Sequence, residues 1–262
     1  MIKTALLAAF SYHRQTIVRT LGWGAALAVL AWAWQGVEMQ PLRLVRGGTL
    51  LRLAGDFLPP DFRDWRNEIR ALAVSVQMAL WGTVLAVVLA VPLGLTGAAT
   101  MAPWWLRQPL RGLMEGCRAV NELLFAMLFV LVVGIGPFGG VLALFVHSTG
   151  VLANLFAESV EAIDRRPAEG IRAAGANRLE EIVYGVIPQV LPAWIRSSLY
   201  CFDSNVRSAM AVGMVGAGGI GAVLREAVRA LRFAETTAMM LLVVLAVALL
   251  HFASTTLRKR FL

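Results

Sequence analysis

The glycines near the end of the chain have a spacing that is typical of a nucleotide-binding loop. Residues 212–221 read VGMVGAGGIG, in which Gly216, Gly218 and Gly221 complete the pattern G-x-G-x-x-G. Between a strand and a helix, this pattern binds the pyrophosphate of a dinucleotide, and an acid about twenty residues later binds the ribose. Glu235 lies near that distance. The spacing therefore raises the hypothesis of a nicotinamide or flavin enzyme.

The residues on either side of the glycines do not fit that hypothesis. Glu235 directly precedes a long apolar run, whereas the ribose-binding acid ends a strand. The preceding stretch, 190–212, is too long for one strand. We therefore predict a helix break here, because glycine tolerates positive φ and close packing; it comprises Gly216, Gly218, Gly219 and Gly221. The amphipathic segment VLREAVRALRF then predicts a helix at a membrane surface.

A second set of candidate residues consists of polar side chains inside apolar stretches. An ionisable group at membrane depth costs about 2.5–3.5 kcal/mol on insertion scales, so such groups face a cavity or one another. They are candidates for the lining of a translocation pathway: Asn121, Glu122, His147, Ser148, Asp203, Asn205 and Arg207.

The chemistry of these residues leaves several roles open. Asp203 and Arg207 are four residues apart and can pair on one helix face, so an internal ion pair and a pathway role are both consistent with the spacing. Arg207 and Asn205 would favour an anion, whereas Glu122 would hold helices together or act as a gate. His147 and His251 are isolated in sequence, which favours packed or interfacial positions. No nucleophile–base–orienter set is present, so we do not predict a membrane enzyme.

Composition places the chain among polytopic membrane proteins. Of 262 residues, 58% are hydrophobic and 15% charged, and the mean hydropathy is +0.70; soluble domains are about 45–50% apolar and about 25% charged. The net charge of +8 is explained by basic residues kept on the cytoplasmic side, without nucleic acid. Cys117 and Cys201 lie in apolar stretches and suggest neither a disulfide framework nor a metal site. Six stretches are long enough to cross a bilayer: 17–35, 71–98, 113–133, 138–157, 190–212 and 235–254.

Flanking charge predicts the orientation of these spans. Basic residues that include Lys3, Arg14 and Arg111 fall on one side by alternation, which places both termini in the cytoplasm. We divide the chain into 1–70, an N-terminal transmembrane helix with an external amphipathic segment, and 71–262, a transmembrane core. The first span could instead be a cleaved signal, since 31–33 read AWA, but the neighbouring tryptophans favour a retained helix.

The polar loop at 158–189 carries local signals for a helical hairpin. Pro167 suits the start of a helix, and Gly175 suits the position after its end, which predicts a helix over 167–174. Asn177 and Glu180 fit a capping box that begins the next helix. Pro188 and Pro192 are expected to interrupt the chain as it returns to the membrane. A DNA-binding helix-turn-helix and a solvated linker are the alternatives to a docking element.

The same loop resembles the EAA signature of permease subunits of binding-protein-dependent ABC importers. Glu169 matches the glutamate of that motif, Gly175 its glycine, and Ile187-Pro188 its closing Leu-Pro pair. Gly170 and Ile171 replace the two alanines, and Gly185 takes a position usually held by isoleucine. The blocks HSTGVLANLFAESVEAID, YGVIPQVLP and NVRSAMAVGMVGAGGIG are further similar to permeases for phosphonate, phosphate and phosphite, over about residues 65–255.

The resemblance implies an all-α, type I importer permease fold in the inner membrane that pairs with an identical copy or a close paralogue. It implies two cytoplasmic ATPase subunits and a periplasmic or lipid-anchored solute-binding protein, and ATP and magnesium on those ATPases; the chain itself has no P-loop motif and is expected to hold no cofactor. The expected ATPase contacts are Asp164, Arg165, Arg166, Glu169, Gly175 and Pro188. A permease for an amino acid or another oxyanion, and an ATP-independent channel or secondary carrier, remain alternatives.

Overall fold

The computed structural model describes residues 19, 22–35 and 55–260, with side chains to residue 256. The chain forms two compact units, Met1–Asp56 and Phe57–Leu262. In the first unit, helix α1 (22–35) exposes apolar side chains such as Trp23 and Leu30. The predicted span 17–35 is therefore helical over its described part. Lys3 and Arg14 lie outside the described residues.

The second unit is helical, and its described residues contain no strand. Two short π-helical segments, at Glu181–Val186 and Gly213–Ala217, continue the helices beside them. Its α-helices in chain order are α2 (Trp65–Gly97), α3 (Trp104–Ala119), α4 (Glu122–Val133), α5 (Pro137–Glu161), α6 (Arg166–Ala173), α7 (Arg178–Glu180), α8 (Ile187–Val212), α9 (Gly219–Arg229) and α10 (Phe233–Arg260).

Among the described residues, α2, α5 and α10 up to Thr256 are each long and apolar enough to cross a membrane. They contain or nearly coincide with the predicted spans 71–98, 138–157 and 235–254. Two bent helix pairs also pass the same test, so the described part of the chain has up to five spans.

The predicted span 113–133 is wrong as one continuous helix. Helices α3 and α4 meet at an angle of 90° at Val120-Asn121. The reason is local: the Asn121 side chain accepts a hydrogen bond from the Leu123 N–H at 2.9 Å and caps a new helix, and Glu122 then stands in the first turn, where the helix dipole favours an acid. These two residues are an N-terminal helix signal inside an apolar run.

The helix that contains the predicted span 190–212 is longer than that span. Helical structure runs from Arg178 to Ala217 and then bends by 60° into α9. Pro188 and Pro192 do not interrupt it, contrary to the prediction. The π-helical segment explains this for Pro188, because Ile187 N–H donates to the Ile182 carbonyl five residues earlier and the helix is widened where the Pro188 ring would otherwise crowd it. Pro192 lies inside α8, and this segment does not account for it.

The core of the second unit is built by close packing of α2 on α5. A Cβ added at Gly82 would lie 2.8 Å from the Leu144 Cβ, and one added at Gly94 would lie 2.6 Å from the Phe156 Cβ. Small residues at such an interface let helix backbones approach closely, which replaces the hydrophobic driving force that is missing in lipid. The Phe156 ring also stacks on Trp194 of α8, with the centroids 4.7 Å apart.

Residues 57–70, which the sequence predicts as part of an N-terminal region, belong to the second unit. The Phe57 ring packs on Phe233 with the centroids 5.1 Å apart, and Asp61 N–H donates to the Ala234 carbonyl at 3.1 Å. Helix α2 also begins at Trp65, six residues before the predicted span. Long-range contacts of this kind leave no mark in local sequence.

Candidate functional site: a capped hairpin and three polar clusters

The predicted hairpin folds as a short helix, a glycine turn and a second helix. Arg166 N–H donates to Asp164 Oδ1 at 3.1 Å where α6 begins. Beyond its end, Gly175 has φ +92°, and the N–H groups of Gly175 and Ala176 donate to the carbonyls of Arg172 and Ile171. This pattern is the Schellman motif, which requires a left-handed residue after the helix. Helix α6 thus lies one residue before the predicted range of 167–174.

The second half of the hairpin begins with the predicted capping box. The Asn177 side chain accepts from the Glu180 N–H at 2.9 Å, and Glu180 accepts from the Asn177 N–H at 2.8 Å. One turn later, Glu181 is buried and forms a bidentate pair with Arg172, with contacts of 3.0 and 2.6 Å. This hydrogen bonding to Glu181 raises the pKa of Arg172. The pair joins the two arms of the hairpin. Because its members are nine residues apart, the sequence did not predict that they would pair.

Small residues fix the position of α6 against the second arm. Ala168 is the buried residue of α6, and a Cβ built on Gly185 would lie 2.8 Å from its Cα. Gln189 Nε2 donates to the carbonyls of Gly185, at 2.6 Å, and Asp164, at 3.2 Å. The close approach of the two backbones therefore explains the glycine at position 185, where permeases with the EAA signature usually have isoleucine.

A groove of about 200 Å³ opens along the hairpin. Charged side chains of both arms line it, among them Arg165, Glu169 and Arg178, and Arg178 also donates to the Met101 carbonyl at 2.8 Å. Two of the expected docking residues, Arg165 and Glu169, thus lie at this groove. Asp164, Arg166, Gly175 and Pro188 are exposed nearby but do not line it. The groove is a mixed polar and apolar concavity, open to a partner.

An ion pair connects this end of the bundle to the hairpin's base. Arg111 of α3 contacts Glu161 at the end of α5, and its Nε donates to the Gly97 carbonyl at 2.9 Å. Glu161 also accepts from the Ala99 N–H at 2.6 Å. The ends of α2 and α5 are therefore tied to the middle of α3 where the chain enters the hairpin.

The first polar cluster is sealed inside the bundle. Ser148 Oγ donates to Asn205 Oδ1, and Asn205 Nδ2 donates to Thr83 Oγ1, both at 2.9 Å. Thr83 in turn donates to the Ala79 carbonyl at 2.7 Å. Ser148, Asn205 and Thr83 are at most 6% exposed. Because these polar groups satisfy one another, the cluster joins α2, α5 and α8.

The second polar cluster lies at the break between α3 and α4. Glu122 accepts from Ser208 Oγ at 2.7 Å and faces His147 Nε2 at 3.6 Å. His147 Nδ1 lies 3.0 Å from the Val120 carbonyl, which can only accept, so we assign the proton to Nδ1. The histidine thus satisfies a carbonyl that the break leaves without a helical partner. An ion pair with Glu122 forms when Nε2 is also protonated.

The third polar cluster joins α8 to α10 and contains the predicted Asp203–Arg207 pair. Asp203 Oδ2 accepts from Arg207 NH1 at 2.8 Å and from His251 Nδ1 at 3.3 Å. The Asp203 side chain is 5% exposed, whereas those of Arg207 and His251 are 47% and 56% exposed. The sequence predicts the pair four residues apart but not the third member, which is 48 residues away.

The glycine-rich segment lies at the 60° bend between α8 and α9. Gly216 and Gly218 have φ of +116° and +80°, so the backbone turns through a region that favours glycine. Gly219 also has positive φ, and a Cβ on Gly221 would overlap the Met210 carbonyl oxygen. Ile220 N–H, in the first turn of α9, donates to Ser75 Oγ at 3.0 Å. A dinucleotide fold needs a strand before these glycines, and here the preceding segment is a helix.

Within the described part of the chain, no three His, Cys, Asp or Glu side chains are grouped as metal ligands. The polar clusters contain ion pairs and hydrogen bonds, and the hairpin presents a groove. These features are suited to joining helices, binding a partner protein and binding a charged solute.

Comparison with known proteins places these features in context. Residues 90–261 match the family model "Binding-protein-dependent transport system inner membrane component". PhnE1 of Escherichia coli (strain K12), whose name assigns it to a cryptic phosphonate transport system, is 55% identical over 124 residues, 47% of this chain and 60% of that protein. The phosphite transport system permease protein PtxC of Stutzerimonas stutzeri is 36% identical over 265 residues, 95% of both chains.

Solved structures provide a comparison of folds. A chain of the MetNI methionine ABC transporter, in an inward-facing conformation, superposes with a TM-score of 0.65 at 18% identity. The superposition covers 74% of this chain and 95% of that one.

Proposed function

Because the chain belongs to the family of binding-protein-dependent transport system inner membrane components, we propose that it carries a phosphorus oxyanion across the inner membrane of the cell. As a permease subunit of an ABC transport system, it is a multi-pass membrane protein that works with an ATPase and a solute-binding protein. Similarity to a phosphite permease over 95% of both chains carries the choice of a phosphorus oxyanion.

The hairpin is the part of the chain that docks on the ATPase. It is exposed, its two arms are joined by the Arg172–Glu181 pair, and Ala168 packs closely against Gly185. A short helix that is fixed in this way can transmit a displacement to α8, which continues directly from the hairpin. ATP and magnesium bind to the partner ATPase, and the permease itself performs no chemical step. A second copy of the chain completes the pathway.

Uptake in proteoliposomes tests this function. The permease is reconstituted with its partner ATPase and solute-binding protein, and ATP-dependent uptake of methylphosphonate, phosphite and phosphate is measured. Glu169→Ala is expected to abolish uptake without removing the permease from the membrane, because Glu169 lines the exposed groove. Glu115→Ala, at an exposed position on α3, is the matched control. Uptake by the permease without its ATPase, or unchanged uptake by Glu169→Ala, would contradict the docking role.

The orientation of the hairpin is tested by thiol labelling. In a chain with Cys117 and Cys201 replaced by alanine, Ala173→Cys introduces one thiol at an exposed position of α6. A membrane-impermeant maleimide added to intact cells should not react with it, and should react after permeabilisation. Labelling in intact cells would place the hairpin outside and would contradict docking on a cytoplasmic ATPase.

A further inference from the structure

We propose that Arg207 and His251 form an oxyanion-binding site on the translocation pathway, and that Asp203 holds these two side chains together while limiting how tightly the anion binds. This proposal rests on the proposed function, because it names the residues that meet the phosphorus oxyanion inside the membrane.

The exposure of these side chains requires polar surroundings. Arg207 lies on α8, within a bent helix pair of spanning length, and His251 lies within the candidate span Phe233–Thr256. About half of each side chain is exposed in the single chain. A guanidinium that faces lipid is costly, and charged groups in spanning helices therefore face a water-filled cavity or other protein. The exposed face of this cluster is thus turned away from lipid.

The hydrogen bonds within the cluster leave donors for a ligand. Arg207 NH1 and His251 Nδ1 share one oxygen of Asp203, so the two groups lie within about 6 Å of each other. Among the described residues, NH1 is the part of the guanidinium that contacts a protein acceptor, which leaves the edge formed by Nε and NH2. This edge is a planar fork that matches two oxygens of a phosphonate, phosphite or phosphate group. With Nδ1 donating to Asp203, Nε2 of a neutral His251 ring accepts a hydrogen bond from a P–OH group, and it donates to the anion when the ring is doubly protonated.

The other two clusters do not offer an anion the same opportunity. The donors of Ser148 and Asn205 are satisfied by protein partners and are buried. Glu122 brings a carboxylate to the cluster at the helix break, which repels an anion. In the third cluster the basic side chains of Arg207 and His251 are partly exposed, whereas the acid Asp203 is buried. An approaching anion therefore contacts the basic groups before the carboxylate.

The position of Asp203 gives it two effects on an anion. Its carboxylate orients both basic side chains, and it partly neutralises them. A transported ion must bind well enough to enter and weakly enough to leave. Removal of the negative charge should therefore strengthen anion binding and slow release, whereas removal of the guanidinium should weaken binding. These opposite effects separate a transport site from an ion pair that only stabilises the fold.

The experiment compares Arg207→Gln, Arg207→Lys and Asp203→Asn with Arg196→Gln, a control at an exposed arginine earlier on α8. Two measurements are made on the assembled importer: uptake of methylphosphonate into proteoliposomes with saturating binding protein, and equilibrium binding of radiolabelled methylphosphonate to permease and ATPase in nanodiscs without binding protein. Loss of a charge-assisted hydrogen bond predicts that Arg207→Gln lowers uptake and binding roughly tenfold to a hundredfold. Arg207→Lys should recover only part of the loss, because an ammonium cannot form the fork.

Asp203→Asn should bind methylphosphonate more tightly than wild type but should transport it at a lower maximal rate. Uptake by Arg207→Gln within twofold of the control would overturn the proposal. Equal losses of binding in Asp203→Asn and Arg207→Gln would also overturn it, because they would indicate a structural ion pair. If wild type imports none of the phosphorus oxyanions, the proposed function fails separately; binding of orthophosphate and sulfate to the same variants in nanodiscs then decides the anion site.

Discussion

Gly185→Ala tests whether the contact between the two arms of the hairpin holds α6 in its working position. The added Cβ would lie 2.8 Å from the Ala168 Cα and 3.0 Å from its Cβ. Both atoms belong to or adjoin the backbone, so no side-chain rotation can relieve the overlap. Helix α6 would have to move by about 0.6 Å to restore an ordinary contact of 3.4 Å. Overpacking of this kind typically costs about 1–3 kcal/mol.

That free energy should act on the position of α6 and not on the bundle, because Ala168 is the buried residue of this short helix. A coupling free energy of about 1–3 kcal/mol corresponds to a change of about 5- to 150-fold. We therefore expect ATP-dependent uptake in proteoliposomes to fall within that range, while the permease still folds and inserts. Gly112→Ala on α3 is the matched control, since nothing lies within 4 Å of its added Cβ.

Two measurements accompany uptake: the amount of permease extracted from the membrane and the amount of ATPase that co-purifies with it. Uptake by Gly185→Ala within twofold of Gly112→Ala would refute the conclusion that the Ala168–Gly185 contact positions α6. A large drop in the amount of folded permease would also refute it, since the contact would then support the whole bundle.

Two further variants test the sealed cluster and the hairpin turn. Asn205→Leu should lower the free energy of unfolding by about 1–3 kcal/mol, because Ser148 and Thr83 lose a buried partner. Thermal melting of purified permease measures this loss. A triple variant that adds Ser148→Ala and Thr83→Val should regain most of it, so equal melting temperatures of the triple and single variants would contradict the network. Gly175→Asn should retain more uptake than Gly175→Val, because asparagine adopts the left-handed conformation at φ +92° more readily than a β-branched residue. Nothing lies within 4 Å of a Cβ added at this position, so steric overlap does not separate the two variants. Equal uptake by both would show that the Schellman turn does not matter for coupling.

Local sequence signals predicted the hairpin closely. Gly175 and the Asn177–Glu180 capping box act through hydrogen bonds that span three to five residues, so the local amino-acid sequence is nearly sufficient to predict them. The same reasoning failed at Pro188, because the widening that tolerates the proline develops over the preceding π-helical turn. At Asn121 a capping signal was present, but the apolar residues around it favoured a single continuous span.

The sequence by itself determined that the chain is helical, that it crosses a membrane and which family it resembles, because composition, apolar length and contiguous motifs are properties of neighbouring residues. Only the tertiary structure decided which polar groups meet. Asn205 and Arg207 are two residues apart on α8, yet one is sealed against Thr83 and Ser148 while the other, bound to Asp203, stands partly exposed beside His251. The physical reason is that successive positions on a helix point about 100° apart, so the packing of α2, α5 and α10 around α8 determines what each side chain contacts.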